Sequence, residues 1–208
     1  MGRVSREQAA ENRAKVVVAA STLFRRHGMN GVGIDDLMAE AGLTHGGFYG
    51  QFGSKDVLAG EACTHAFDAV ERAWNVAGKG DAAGRLQRLA DFYFAPKPPG
   101  ADCPMATLAG DAAHAPAGSP LRRAFTTGLQ RLARLIAGRA AAGNGHALHG
   151  DCAERDDNGM ELDDRALAVL AAMVGAAVLR RAGNDKALAT SIESAVKRLA
   201  AASAIPAG

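Results

Sequence analysis

Aromatic side chains are scarce in this chain. One Trp, two Tyr and seven Phe make up 5% of its 208 residues, while the apolar content reaches 48%. That content leans on alanine, valine and leucine, which favours closely packed helices over sheet. Cysteine is scarcer still. Cys63, Cys103 and Cys152 are odd in number and widely separated, which excludes a disulfide framework and fits a reducing compartment. There is no long hydrophobic run. The longest, Ala166 to Leu179, has fourteen residues, short of the roughly 20 that a membrane-spanning helix needs. No leading segment has the layout of a secretion signal, so a soluble cytoplasmic protein is expected. A strong charge of either sign is also missing: the formal balance is +2. Its location is informative, because residues 1–55 hold seven Lys/Arg and five Asp/Glu, and the remainder holds seventeen of each. The whole excess sits in the first quarter, as phosphate binding requires.

What is present is helical periodicity broken by glycine and proline. A first helix is predicted from Ser5, followed by Glu7 and Gln8 in a partial capping pattern, to His27 before Gly28, with Val16, Val17, Ala20, Leu23 and Phe24 on one face. From Gly33 to Lys55 the sequence reads as two short helices joined by a tight turn. Ile34, Leu37, Met38 and Ala41 recur at helical spacing, Gly42 supplies a left-handed terminator, and Thr44 is placed to cap a helix carrying Phe48, Tyr49 and Phe52. This is a helix-turn-helix, the unit that sets the N-terminal turn of its second helix into the DNA major groove.

Further along, Ser54 caps a long fourth helix, Lys55 to about Ala77, with Leu58, Ala62, Ala66, Ala69, Ala73 and Ala77 along its inner side. A fifth, 81–94, ends in a proline-rich breaker at 95–100, a sixth covers 104–114, and a seventh runs from Ser119 to about Ala142. Residues 143–162 lack an apolar period and read as a surface loop. The eighth helix, 163–181, is hydrophobic nearly all round and must be covered on every side. The ninth, 184–202, repeats Leu188, Ile192, Ala195, Val196 and Leu199. Two such terminal helices are suited to pair with those of a second chain in a four-helix interface. No internal repeat is visible.

The residues Arg13, Val16, Val17, Ala19, Ala20, Leu23, Phe24 and Gly28, followed by Asp36, Leu37, Ala41, Gly42, Thr44, Gly46, Phe48, Tyr49, Phe52, Ser54 and Lys55, resemble the N-terminal signature of the TetR family of one-component transcriptional repressors. The resemblance covers about Arg13 to Leu58; the rest is similar only in helix count and layout. It implies an all-α fold of about nine helices: a three-helix DNA-binding domain, residues 1–54, then a helical ligand-binding and dimerisation domain, residues 55–208. It also implies a homodimer that binds a palindromic operator, without catalysis or cofactor, and is released by a small-molecule effector.

Several positions are candidates for DNA contact. Gly33 stands where the family more often carries a Ser or Thr cap, a change costing a few tenths of a kcal/mol. Sequence reading falls to His45 in the first turn of the second helix, at a position where the family often carries a polar or basic residue. Thr44 and Tyr49 bring hydroxyls for phosphates, Lys55 brings a charge, and the helix amides point at the backbone. Gly46 and Gly47 offer no side chain. With Gly50 they each cost the helix about 1 kcal/mol relative to alanine, and in return they let the backbone approach the groove. Arg3 and Arg6 precede the first helix and are placed to reach a minor groove.

For the effector, Trp74, Phe92, Tyr93, Met105, Leu108, Phe125, Leu129 and Met173 are candidate lining residues. No charge cluster is visible, so a largely apolar molecule is the default. Cys103 precedes Pro104 at a predicted helix start, where amide dipoles favour a thiolate, and some TetR-like regulators that sense electrophiles carry a cysteine at the corresponding helix. Redox sensing through Cys103 is therefore the alternative signal. His146, His149 and Cys152, beside Asp151, include transition-metal ligand types, but they sit in a loop with no second scaffold element, and no metal site is predicted. Two rivals remain: a helical enzyme, for which no nucleophile with its base and no phosphate loop is found, and an architectural DNA-binding protein with no effector.

Overall fold

Why the chain folds as it does is visible helix by helix in a computed structural model, whose described residues are 5–137 and 164–203. Arg3 and residues 138–163, among them His146, His149, Asp151, Cys152 and the loop expected at 143–162, lie outside them. The described residues form ten α-helices and one 3-10 turn, with no strand among them. The all-α expectation holds.

Helix α1 (Arg6–His27) starts at Ser5, whose Oγ accepts the Gln8 amide at 3.1 Å, and stops at Gly28, where φ is +72°. Its buried side is Val16, Ala19, Ala20 and Phe24. Helix α2 (Ile34–Glu40) is capped by Gly33, which lacks a side chain to accept from the helix. Asp36 compensates from inside: its carboxylate accepts the Gly33 amide at 2.8 Å, the returning half of a capping box. Gly42, at φ +70°, turns the chain. The next segment departs from the single helix expected: His45–Gly47 forms a 3-10 turn and only Phe48–Phe52 is α-helical, as α3. Three glycines in six residues weaken the α-helix here, and burial of Phe48 and Phe52 holds what remains.

Helix α4 (Lys55–Ala77) begins at Ser54, whose Oγ accepts the Val57 amide at 3.2 Å. It buries Leu58, Ala59, Ala62, Cys63, Ala66, Phe67 and Trp74, whereas Ala69, Ala73 and Ala77 are only half-buried. Helix α5 (Arg85–Phe94) starts later than the sequence suggested, because Asp81 accepts the Gly84 amide at 2.7 Å and closes a turn first. The single helix expected at 104–114 is two, α6 (Pro104–Thr107) and α7 (Ala109–His114), broken at Leu108. That break raises the count from about nine to ten.

Helix α8 (Pro120–Ile136), capped by Ser119, lies along α4. At one crossing, a side chain on Gly60 would stand 2.8 Å from Pro120. At another, a side chain on Gly128 would overlap the Phe67 ring, which packs edge-on against Phe125 at 5.6 Å. Arg131 of α8 pairs with Asp68 at 2.7 Å and with Glu71, both on α4. Helices α9 (Asp164–Ala182) and α10 (Lys186–Ala202) close the domain against α5 and each other. In α9, Ala166, Val169, Leu170, Met173 and Ala176 are buried. Within the single chain Val178 and Leu179 are exposed, as are Leu188 and Leu199 of α10. No helix among the described residues is long and apolar enough to cross a membrane.

The contact at Gly128 yields a stability test. Alanine raises helix propensity by about 1 kcal/mol, but overpacking a filled core costs about 1 to 3 kcal/mol, and the Phe67 ring is pinned between α4 and α8. Gly128→Ala should lower the urea midpoint, while Gly110→Ala in α7, where the added carbon meets nothing within 4 Å, should not. A Gly128→Ala protein as stable as the parent would remove this contact from the account of the fold.

Candidate nucleic-acid interface and interhelical cleft

Burial divides the helix-turn-helix into a packed side and an open one. Leu37, Met38, Phe48 and Phe52 join Val16, Ala20 and Phe24 of α1 in one core. On the other side Thr44, His45, Gly46, Tyr49 and Gly50 are exposed, as is Gly33, and Gly47 is half-buried. The structure thus brings the predicted contact residues from Thr44 to Tyr49 to one surface. Tyr49 is 60% exposed, its ring held edge-on by Phe48 at 5.2 Å and facing His45 at 6.3 Å. Side chains added at Gly46 and Gly50 would meet nothing within 4 Å, so the ground between these rings is flat backbone. Thr44 occupies the cap position without making a side-chain cap bond.

His45 is held from a direction the sequence did not suggest. Its Nδ1 is bonded to the Asp35 carboxylate of α2, both side chains being exposed. The pair fixes the orientation of the imidazole.

Lys55, a candidate phosphate ligand, is engaged inside the unit. Its ammonium donates to the Met29 and Val32 carbonyls, each at 2.6 Å, and lies 5.9 Å from the Phe24 ring. Two of its three donors are thereby spent on the α1–α2 turn. Arg13 has a similar internal role. It pairs with Glu61 of α4, donates to the Gln51 carbonyl at 3.4 Å and stacks over Phe52 at 4.6 Å. These two cations fasten α1, α3 and α4 together. Arg6 is exposed at the start of α1.

Three contacts tie this N-terminal unit to the segment around α6 and α7. Arg25 of α1, 8% exposed, donates to the Ser21 carbonyl at 2.7 Å and to the Asp102 carbonyl at 3.2 Å. Burial lowers its pKa, opposed by Asp102 and Cys103. The Met29 amide donates to Asp111 of α7 at 3.2 Å. Gly100, at φ +78°, presses so close to α1 that a side chain there would meet Thr22 at 2.5 Å.

Beyond Arg25 lies a cleft of about 290 Å³ between the end of α5, the segment entering α6 and the end of α9. Tyr93 and Cys103 line it, together with Phe94, Lys97, Asp102, Ala106, Ala177, Arg180 and Arg181. Of the predicted effector residues only those two reach it. Trp74, Met105, Leu108 and Met173 are core, Phe92 and Phe125 are half-buried, and Leu129 is exposed on α8. The absence of a charge cluster, the ground for an apolar effector, does not survive folding, because Lys97, Asp102, Arg180 and Arg181 converge here.

Cys103 lines the cleft but departs from the expectation of a thiolate. The Met105 and Ala106 amides do favour its thiolate, as helix geometry suggested, but burial outweighs them and pushes the thiol up to about 11. At neutral pH it is protonated and 7% exposed, the opposite of a reactive sensor cysteine. Cys63 is likewise pushed up to about 12 by burial. No group of three or more metal-ligating side chains occurs among the described residues.

Comparison with known proteins agrees with this geometry. Residues 16–62 match the family model described as bacterial regulatory proteins, tetR family. A TetR transcriptional regulator from Chloroflexus aurantiacus is 26% identical, with a TM-score of 0.69 over 93% of this chain and 94% of that one. A TetR-family regulator from Cytophaga hutchinsonii is 16% identical, with a TM-score of 0.70 over 99% of this chain and 100% of that one. A regulator from Saccharomonospora viridis, solved in complex with choline, is 19% identical, with a TM-score of 0.64 over 91% and 95%. No curated protein sequence matches the chain significantly.

Proposed function

The chain belongs to the TetR family of bacterial regulatory proteins, and from that premise we propose that it is a homodimeric repressor that reads a palindromic operator and releases it when an effector binds. The observation that carries this reading is the open surface of the helix-turn-helix. Two rings, His45 and Tyr49, stand on flat glycine backbone while the aromatic side chains beside them are buried. A 3-10 turn without side chains at Gly46 and Gly47 lets the main chain approach a groove closely. With Nδ1 engaged by Asp35, base reading falls to Nε2 of His45. Thr44 and Tyr49 supply hydroxyls for phosphates. Lys55 acts by setting the angle between α1, α2 and α4.

Residues 1–54 carry this recognition, and 55–208 carry dimerisation and sensing without catalysis. The dimer contact is assigned to the uncovered faces of α9 and α10. Gly175, Val178 and Leu179 lie on the first, and Leu188, Ala195 and Leu199 on the second, spaced as a packing stripe. Arg180 and Glu193, paired at 3.0 Å, hold the two helices in register. The effector is a small molecule that enters the cleft. The Saccharomonospora viridis regulator holds choline, but Lys97, Arg180 and Arg181 make a cation a poor ligand here.

DNA binding by variants tests the recognition surface. His45→Ala should change sequence preference, Tyr49→Ala should weaken all sequences alike, and Lys55→Ala should cost about 1 to 3 kcal/mol of stability while leaving the salt dependence of DNA binding unchanged. A flattened salt slope for Lys55→Ala would return that lysine to the phosphates. Dimerisation is tested by Gly175→Arg, because an added side chain there meets nothing within 4 Å in the single chain. It should fold with parental helicity yet scatter light as a monomer, since an unpaired charge in the interface costs several kcal/mol. A Gly175→Arg dimer would place the interface elsewhere.

A further inference from the structure

We propose that the cleft between α5, α6 and α9 is a binding site for a small monocarboxylate with an apolar body, with Arg181 as its charge partner and the Tyr93 hydroxyl as a second donor. Three observations lead there. The first is charge. Lys97, Arg180 and Arg181 face one another across the cleft, and the acids close to them are Asp102 and Glu193. These cations are not equally free. Lys97 donates to the carbonyls of Phe92, Tyr93 and Ala95 at 3.0, 2.6 and 3.1 Å, so all three of its protons are used and it contributes only field. Arg180 is engaged by Glu193. Arg181 meets Asp102 at 3.6 Å, with both side chains over 40% exposed; this is an ion pair too long for a hydrogen bond and open to exchange. A guanidinium so placed offers a planar fork that a carboxylate fits.

The second observation is an unmet hydrogen bond. The Tyr93 hydroxyl is buried and has no partner, although the residue is 6% exposed and lines the cleft. It lies beside the Cys103 thiol without forming a bond of normal geometry, and within the fields of Asp102 and Arg180. Burial keeps the phenol protonated, so it is a donor. An orphan donor below a cationic rim calls for an acceptor. The third observation concerns shape and polarity. The cleft, at about 290 Å³, is at the small end of ligand pockets, which run to roughly 300–1,000 Å³. Phe94, Ala106 and Ala177 give it apolar walls. A dianion such as phosphate would find one guanidinium, already paired with the opposing Asp102, so a monoanion with a hydrocarbon body fits better.

Occupancy of this site has a route to α1. A carboxylate that takes Arg181 from Asp102 acts on the residue whose carbonyl accepts from Arg25. This consequence rests on the repressor reading; the binding step does not.

Calorimetric titration of the full chain with benzoate, benzyl alcohol and benzyltrimethylammonium tests the site, with inorganic phosphate as a fourth probe. Benzoate should bind saturably, and the other three should bind at least about tenfold more weakly. Arg181→Gln, on an exposed side chain, should weaken benzoate by about tenfold or more, and Tyr93→Phe, which keeps the ring, should weaken it severalfold. The proposal is overturned if benzyl alcohol binds as well as benzoate, if phosphate or the ammonium probe binds better, if Arg181→Gln changes nothing, or if wild type gives no saturable signal. Benzoate binding through Arg181 without release of operator DNA upholds the site and counts against the repressor reading instead.

Discussion

At two points along α4 the neighbouring helix comes so close that only glycine fits, Gly60 against Pro120 and Gly128 against Phe67. The consequence is mechanical. α4 cannot bend or slide without α8, and the Arg131 bonds to Asp68 and Glu71 lock the same pair on its polar side. A helix fixed along its length turns a displacement at one end into a displacement at the other. Its first residue, Lys55, grips the α1–α2 turn, and its later turns carry Trp74, which packs on Tyr93 at the cleft with ring centres 6.0 Å apart. Interfaces packed this densely move as units and are not continuously deformable.

Three of the cations in the N-terminal unit are used for assembly. Arg13, Arg25 and Lys55 each satisfy main-chain carbonyls in another part of the unit or an adjoining segment. Arg6, Lys15 and Arg26 stay exposed, and the open face of the helix-turn-helix carries two rings, a threonine hydroxyl and exposed backbone. In the proposed dimer two such heads would share one operator, with the span between them set by the helices that join the copies.

The elements legible in the sequence were those set by short-range signals. Ser5, Gly28, Gly42 and Ser54 act within three or four residues of where they stand, so the bounds of α1, α2 and α4 could be read directly. The helix-turn-helix surface followed from them. What could not be read depends on partners distant in sequence. Lys55 looked free for phosphate because nothing nearby reveals that Met29 and Val32 offer their carbonyls to it. The cleft's charges arise when α9 brings Arg180 and Arg181 beside Lys97 and Asp102. For Cys103 the local signal was correct in sign and overruled in size, since the amides favour the thiolate while burial, a property of the whole fold, favours the thiol. The open faces of α9 and α10 were hidden for a related reason: hydrophobicity marks what must be covered, without saying whether the same chain covers it.

The central claim is that two copies of the helix-turn-helix read DNA together through the first turns of α3. Selection of binding sequences from a random duplex pool by the purified protein tests it most directly. The account predicts an enriched palindrome whose half-site centres are one helical turn of DNA apart, or a multiple of it. Recovery of an unselected pool, or of a single asymmetric site bound by one copy, would contradict it.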